Sequence, residues 1–226
     1  MQTQIIITED GSHSLFVPQL NEHYHSTHGA IQESRHVYIE AGFCACKSKQ
    51  INVLEVGFGT GLNAFLTLLE SEKTDTKVNY TSIELYPLDY DKVKQLNYTE
   101  HISDTNKVSL FLELHTAEWN RYDEITPHFI LHKIKTDFSN SNNLVTLSQF
   151  DVIYFDAFAP EKQPEMWTQQ IFDNLYTMCN ENAIITTYCA KGAVRRMLQS
   201  AGFTVDRLPG PPGKREILRG KKLINY

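Results

Sequence analysis

The sequence predicts an α/β fold: a mostly parallel, doubly wound sheet with helices on both faces and an antiparallel hairpin at its end. Three observations predict it. Apolar runs of strand length alternate with segments of helical spacing through residues 49–226. A glycine-rich turn, Gly57-Phe58-Gly59-Thr60-Gly61, follows the first of these runs and opens a helix-like segment. Two acids, Glu84 and Asp156, close later apolar runs.

Residues 1–48 read as a loosely ordered N-terminal extension preceding the core at 49–226. Within it IIIT and HVYIE are β-like and flank the His-rich stretch NEHYHSTHGA. His23, His25 and His28 fit neither one helix face nor a standard zinc spacing, so no metal is expected there. INVLEVG is an apolar strand of the kind buried in a parallel sheet. GLNAFLTLLESEK follows, with Leu62, Phe65, Leu66 and Leu69 at helical spacing. VNYTSIELY reads as a second strand, and PLDYDKVKQLNY as a helix with Pro87 near its start. VSLFLELH alternates apolar and polar residues and reads as a third strand. Residues 137–150 (DFSNSNNLVTLSQF) read as a turn or surface insertion. FDVIYFDAFAP supplies a fourth strand, MWTQQIFDNLYTMC a helix and NAIITTYCA a fifth strand. KGAVRRMLQSAG reads as a helix capped by Gly202. FTVDRLPGPPGKREILRGKKL reads as two strands joined by a Pro/Gly turn.

At 226 residues the chain is long enough for one domain with a sizeable core. No apolar run reaches the length of a bilayer span, and MQTQIIITEDG lacks the basic start and apolar stretch of a secretory signal. A cytoplasmic location with no membrane partner is therefore expected. Cys44, Cys46, Cys179 and Cys189 suggest reduced thiols rather than a disulfide framework. Cys44 and Cys46 form a lone C-x-C, a weak metal signal. Nothing in the sequence specifies an oligomeric state. Net charge is −6, but residues 191–226 hold nine of the 21 Lys and Arg and only two of the 27 Asp and Glu. That tail is therefore +7 and residues 1–190 are −13. Such asymmetry marks either a polyanion-binding face or a solvated basic end.

The residues that carry chemistry cluster at the strand ends. Glu55 precedes Gly57, Phe58, Gly59 and Gly61, with Asn63 in the helix that follows. This G-x-G-x-G lacks the second half of the dinucleotide fingerprint, G-x-x-G. It suits a ligand with an amino-acid moiety and no phosphate, whose cationic end Glu55 would meet directly or through water. Glu84, at the tip of the second strand, is placed to accept from ribose hydroxyls. Asp156, in Asp156-Ala157-Phe158-Ala159-Pro160, would face the ligand crevice of an open sheet. A carboxylate there can orient an amine, accept its hydrogen bond and take up its proton. Arg195, Arg196, Lys214 and Arg215 are candidate phosphate contacts.

Taken together, EVGFGTGLN, IELYPL, YFDAFAPEKQPEMWT, YCAKGAVRRMLQSAGF and GPPGKRE resemble the bacterial tRNA wobble-uridine methyltransferases of the MnmD type. These correspond to the methyltransferase half of the bifunctional MnmC enzyme. Tyr24-His25-Ser26 and Glu33-Ser34-Arg35-His36-Val37-Tyr38 are similar to that family's opening segments, and the likeness runs from about residue 10 to the end. The resemblance implies a Rossmann-like class I fold using S-adenosylmethionine. The implied reaction methylates the exocyclic amine of 5-aminomethyl-2-thiouridine in the tRNA anticodon region. It also implies Gly57, Gly59 and Gly61 in the cofactor loop, Glu84 on the ribose and Asp156 as the catalytic carboxylate. Phe158, Pro160, Trp167, Lys191, Arg195, Lys214 and Arg215 are expected on the substrate side. Where the family often has Gly-Asp after the third strand to contact adenine, this chain has roughly His115-Thr116, leaving Glu118 as the substitute acid. The family's FAD-dependent oxidase half is not found before Tyr226, so the expectation is that another enzyme supplies the aminomethyl substrate.

Two alternatives remain open on sequence. One is methyl or aminopropyl transfer to a small amine; an acidic wall would favour a polyamine and the basic tail disfavours it. The other is a non-catalytic RNA-binding module on the same fold.

Overall fold

The computed structural model describes residues 2–102, 107–143 and 149–223. Three short strands, β1 (Gln4–Ile7), β2 (His13–Val17) and β3 (Glu22–His23), form a small antiparallel sheet. A short helix α1 (Ala30–Ser34) runs on into a π-helical turn at Arg35–Glu40. The segment expected to be loosely ordered thus forms defined elements, and HVYIE is helical rather than β-like. Val37 and Tyr38 are buried in the same apolar layer as Leu15 and Phe43. Burial against the main sheet, which local pattern does not report, overrides the β-like composition.

The main sheet begins with β4 (Gln50–Val56) and α2 (Leu62–Thr74), followed by β5 (Lys77–Glu84) and a single helical turn α3 (Tyr90–Val93). The helix expected from Pro87 to Tyr98 is therefore interrupted, and a 3-10 turn at Tyr98–His101 completes it. Next come α4 (Lys107–Thr116), β6 (Tyr122–Thr126) and β7 (Phe129–Lys135). The remaining elements are β8 (Phe150–Phe155), α5 (Gln169–Thr177), β9 (Cys179–Thr187), α6 (Gly192–Ala201), β10 (Thr204–Pro209) and β11 (Glu216–Lys221). The eight strands are ordered β10-β11-β9-β8-β4-β5-β7-β6. Neighbours from β9 to β7 are parallel, while β10, β11 and β6 join antiparallel.

VSLFLELH is helix α4, not the third strand. Its alternating apolar residues are ambiguous between periods, and packing selects the helical one: Phe111 and Leu114 are buried while Val108 is exposed. The third strand in the sheet is instead β7, FILHKIK, paired in parallel with β5. A turn at 127–128 folds it back on β6, a hairpin with no counterpart among the elements expected from sequence. The polar stretch at 137–150 opens with a 3-10 segment at Phe138–Asn143. Its middle, 144–148, lies outside the described residues, and Phe150 already belongs to β8.

Alternation along the central strands builds two apolar layers. Val53, Tyr80 and Tyr154 face α2, α4 and the N-terminal segment. Leu54, Ile153 and Phe155 face α5 and α6. Each fully buried large side chain of this kind contributes about 1.5–3 kcal/mol. Thr168 caps α5 by accepting from Ile171 N, and Gly202 closes α6 in the left-handed region. Neighbouring strands β4 and β8 feed connections on opposite sides of the sheet. Their carboxyl ends form the switch point where open α/β sheets bind ligands.

Candidate active site

A cavity of about 600 Å³ opens over the carboxyl ends of β4, β5, β7 and β8. The β4–α2 loop forms one wall. Gly57 has φ 100° there, and a Cβ would stand 2.6 Å from the backbone oxygen of Asp156. Gly61 has φ 73° and would press a Cβ against His115. These glycines let two chain segments cross closely, leaving backbone groups to line the cavity. Phe58 also lines it, and its ring rests near His115 and Trp119. From behind, Lys133 Nζ lies 5.3 Å from the Phe58 ring and 4.8 Å from Trp119, and donates to the His115 carbonyl at 2.9 Å. Burial pulls that lysine down to about 8.

Glu84 lines the cavity from the end of β5. Its Oε2 accepts from Gly59 N at 3.0 Å and its Oε1 from Tyr86 N at 2.8 Å. Each oxygen keeps a lone pair for a ligand hydroxyl. The acid position after the third strand, expected at His115-Thr116, is occupied by Thr136-Asp137 past β7. His115 and Thr116 end α4, so that expectation is corrected, and with it the substitute role of Glu118. Asp137 lines the cavity beside Ile83 and Phe138. Sequence reasoning missed it because the strand before it was misplaced.

Asp156 lies at the base of the cavity. Oδ1 accepts from the Tyr38 hydroxyl at 2.6 Å, and Oδ2 accepts from Asn63 Nδ2 at 2.8 Å. Burial pushes its carboxyl up to about 6; the Tyr38 and Asn63 hydrogen bonds oppose this. Glu33 adds to the rise and Lys214 offsets it. Tyr38 itself is held protonated well above the ordinary tyrosine range by burial and by Asp156. The Tyr188 hydroxyl donates to the Ala157 carbonyl at 2.9 Å and helps hold the loop that follows.

Of the residues expected on the substrate side, Phe158 and Lys214 line the cavity. Phe158 meets Tyr24 edge-on at 5.2 Å. Lys214 Nζ pairs with the buried Glu33 at 2.5 Å and lies 4.0 Å from the Tyr188 ring. It belongs to the cavity wall rather than to an outer phosphate surface. Trp167 is buried outside the cavity, donating through Nε1 to the Phe158 carbonyl at 2.7 Å, and so braces the loop. Pro160 lies in that loop without lining the cavity. Lys191 is exposed and pairs with Glu161. Arg195 and Arg215 stand outside the cavity, with no ion pair among the described residues.

Glu55 is fully enclosed on β4 and does not line the cavity, so it does not meet a ligand's cationic end directly. Ser82 donates to its Oε2 at 2.7 Å. Asn63 does line the cavity.

Sequence reasoning missed the N-terminal contribution. Tyr24 packs over Gly59, and His25 Nε2 pairs with Thr60 Oγ1 at 2.8 Å. Burial pulls His25 down to about 4, so it is neutral near pH 7. Glu33 lines the cavity, and Tyr38 stands behind it, holding Asp156. Their signal was present in the opening segments similar to the family, but not in any periodicity. Among the described residues no group of three or more His, Cys, Asp or Glu is arranged to hold a metal, and no helix is long and apolar enough to cross a membrane.

The doubly wound sheet, its glycine loop and the acid at the next strand tip define a nucleotide-cofactor enzyme of the α/β class. The chain belongs to the S-adenosyl-L-methionine-dependent methyltransferase family, whose family model matches residues 109–223. Its cofactor is therefore S-adenosylmethionine. It is 31% identical over 218 residues to the tRNA 5-methylaminomethyl-2-thiouridine biosynthesis bifunctional protein MnmC of Leptospira borgpetersenii, covering 88% of this chain and 32% of that protein. It is 32% identical over 213 residues to the Pseudomonas fluorescens MnmC, with the same coverages. The chain thus spans about a third of the length of these curated relatives. The structure of MNMC2 from Aquifex aeolicus superposes with TM-score 0.80 at 25% identity, covering 97% of this chain and 70% of that one. A spermidine synthase from Thermotoga maritima shares the fold alone, with TM-score 0.59 at 12% identity.

Proposed function

We propose that this chain transfers a methyl group to the exocyclic amine of 5-aminomethyl-2-thiouridine at the tRNA wobble position. The observation that carries this reading is Asp156, a carboxylate at the cavity base with each oxygen held by one donor. The relatives' names supply the substrate class. The cavity residues fit the cofactor: Gly57 and Gly59 line the cavity with bare backbone and leave room for its amino-acid moiety, whereas Gly61 packs against His115 outside the lining. Glu84 would hold the ribose and Asp137 the adenine. When bound, the cofactor supplies an electrophilic methyl group on a sulfonium.

The acceptor amine, largely protonated in neutral water, needs a free lone pair. Asp156 accepts a hydrogen bond from it, aims it and takes up its proton. Tyr38 and Asn63 fix the carboxylate so that its remaining lone pairs point into the cavity. Tyr188, Phe158 and the Lys214–Glu33 pair shape the acceptor side. The wobble base reaches such a recess by leaving its anticodon stack. On this reading residues 1–226 act as one catalytic unit, working in the cytoplasm. Arg195, Arg196 and Arg215, outside the cavity, serve as backbone contacts.

Methyl transfer from labelled S-adenosylmethionine to tRNA from cells lacking the gene tests the proposal, with nucleosides identified by mass spectrometry. One methyl gained on 5-aminomethyl-2-thiouridine is the expected result. Cofactor binding without transfer to tRNA would overturn it and point to a small amine acceptor.

Glu84 gives a separate prediction. Glu84→Gln should weaken S-adenosylmethionine binding by roughly 10- to 100-fold, the worth of a hydrogen bond to a charged group. Turnover at saturating cofactor should change little. Calorimetric titration beside a turnover assay checks both.

A further inference from the structure

Behind the cavity lies a second acid that the proposed reaction does not use directly. Glu55 is 0% exposed, yet no lysine or arginine pairs with it among the described residues. Its carboxyl faces the Asn63 amide and the Tyr80 phenol, and Asp156 lies beyond Asn63. Three buried atoms in this cluster lack a partner: Glu55 Oε1, Asn63 Oδ1 and the Tyr80 hydroxyl. While Glu55 is ionised the first two are acceptors, and the Tyr80 hydroxyl offers one donor between them. A single proton on Glu55 Oε1 supplies the second donor, so that Oε1 can donate to Asn63 Oδ1 and still accept from Tyr80. The reverse arrangement, with the Asn63 amide turned and the proton on Asp156, would place the ion in the fully enclosed site and leave Tyr38 donating to a neutral acid. Geometry argues against it. Asp156 has two donors and opens on the cavity, whereas Glu55 has the Ser82 and Tyr80 hydroxyls and no opening to solvent.

We propose that Glu55 is a positioning residue that carries a proton in the working enzyme and donates it to Asn63 Oδ1, locking the amide with Nδ2 on Asp156. The pair of acids then shares one proton, retained by Glu55, and Asp156 is left ionised to accept the substrate's. The groups facing Glu55 are consistent with this. Ser82 and Tyr80 come from β5, Tyr154 from β8, Asn63 from α2 and Asp156 from the loop after β8. None is a cation. Burial correspondingly pushes Glu55 up to about 8, above Asp156.

The inference rests on Asp156 as proton acceptor, and its test separates the two. Infrared spectra at pH 7 should show a protonated carboxyl band in wild type and in Asp156→Asn that disappears in Glu55→Gln. Glu55→Gln keeps a neutral donor for Asn63 and an acceptor for Ser82, and should rescue turnover that Glu55→Leu loses by roughly tenfold or more through misplaced Asp156. The loss should fall on kcat, with KM for S-adenosylmethionine nearly unchanged. The Gln variant should also lack a fall in activity near pH 8. A missing band in wild type, or a folded Gln variant as impaired as Leu, would overturn the proposal. If Asp156→Asn kept both the band and full turnover, the neutral Glu55 would stand and the general-base reading would fall.

Discussion

Asp156→Asn is expected to lower methyl transfer by about 10²- to 10⁴-fold, the usual worth of a positioned general base. Asparagine keeps the shape, but its one oxygen can accept from Tyr38 or from Asn63 and not from both, and it cannot take a proton. Cofactor affinity should hold, because Glu84, the glycine loop and Asp137 are untouched. In wild type the same carboxyl predicts an acid limb in kcat/KM near pH 6: activity is present above it and falls as the base is protonated. The stability sign is opposite to that of an ordinary surface aspartate. Asp156 has a folded pKa of about 6 against 3.8 for the free group, so the native state binds more protons between these values. Stability therefore falls as pH rises through that window. Above it the enzyme carries an ionised carboxylate that burial disfavours. At pH 8 the Asn variant should melt at or above the wild-type temperature. A variant with lower Tm and wild-type kcat would contradict both halves of the argument.

Gly57→Ala is the second large effect. The residue sits at φ 100°, and a Cβ would meet a backbone oxygen at 2.6 Å, where no side chain can move away. Left-handed strain alone costs about 1–3 kcal/mol, and the clash adds to it. A loss of about 2 kcal/mol lowers Tm by roughly 4–8 °C in a chain of this size. The added methyl pushes apart the β4 and β8 loops where they cross, so cofactor binding should suffer with stability. Gly192→Ala is the control. It lies in the first turn of α6, where φ is ordinary and the nearest atom is the movable end of Arg196 at 3.3 Å. Alanine also favours the helix there. Thermal melts and calorimetry on the two variants should separate them clearly.

Much of this site was legible in the sequence because its signals are local. Gly57, Gly59 and Gly61 follow an apolar run, and only glycine tolerates their backbone angles without strain. Glu84 and Asp156 close strands whose apolar character marks them as central. Gly202 and the Pro/Gly turn mark the end of α6 and the final hairpin. The charge map was less informative. Lys214 and Lys191 counted towards a basic face, yet each has an acidic partner, Glu33 and Glu161. Arg207 and Arg219 pair across the hairpin with Glu216 and Asp206. Composition cannot show which cations are neutralised, because the partners lie from nine to 181 positions away.

Reading α4 as a strand had a cost beyond the element itself. Its alternating apolar residues satisfy a period of two as well as they satisfy a helix, and only the burial of Phe111 and Leu114 decides between them. The error displaced the third strand and hid Asp137. The N-terminal segment failed for a different reason. Tyr38, His25 and Glu33 act through partners 35 to 181 residues away, and no local pattern encodes those.

By itself, then, the sequence determined the α/β class, the glycine loop, the two strand-end acids and the closing hairpin, since each depends on backbone angles or burial period over a few residues. Tertiary structure alone decided that Tyr38 and Asn63 hold Asp156, that Lys214 faces inward on Glu33, and that Glu55 is sealed behind the cavity. Those are matters of burial and of partners brought together from distant segments, and burial is what sets the protonation of both acids.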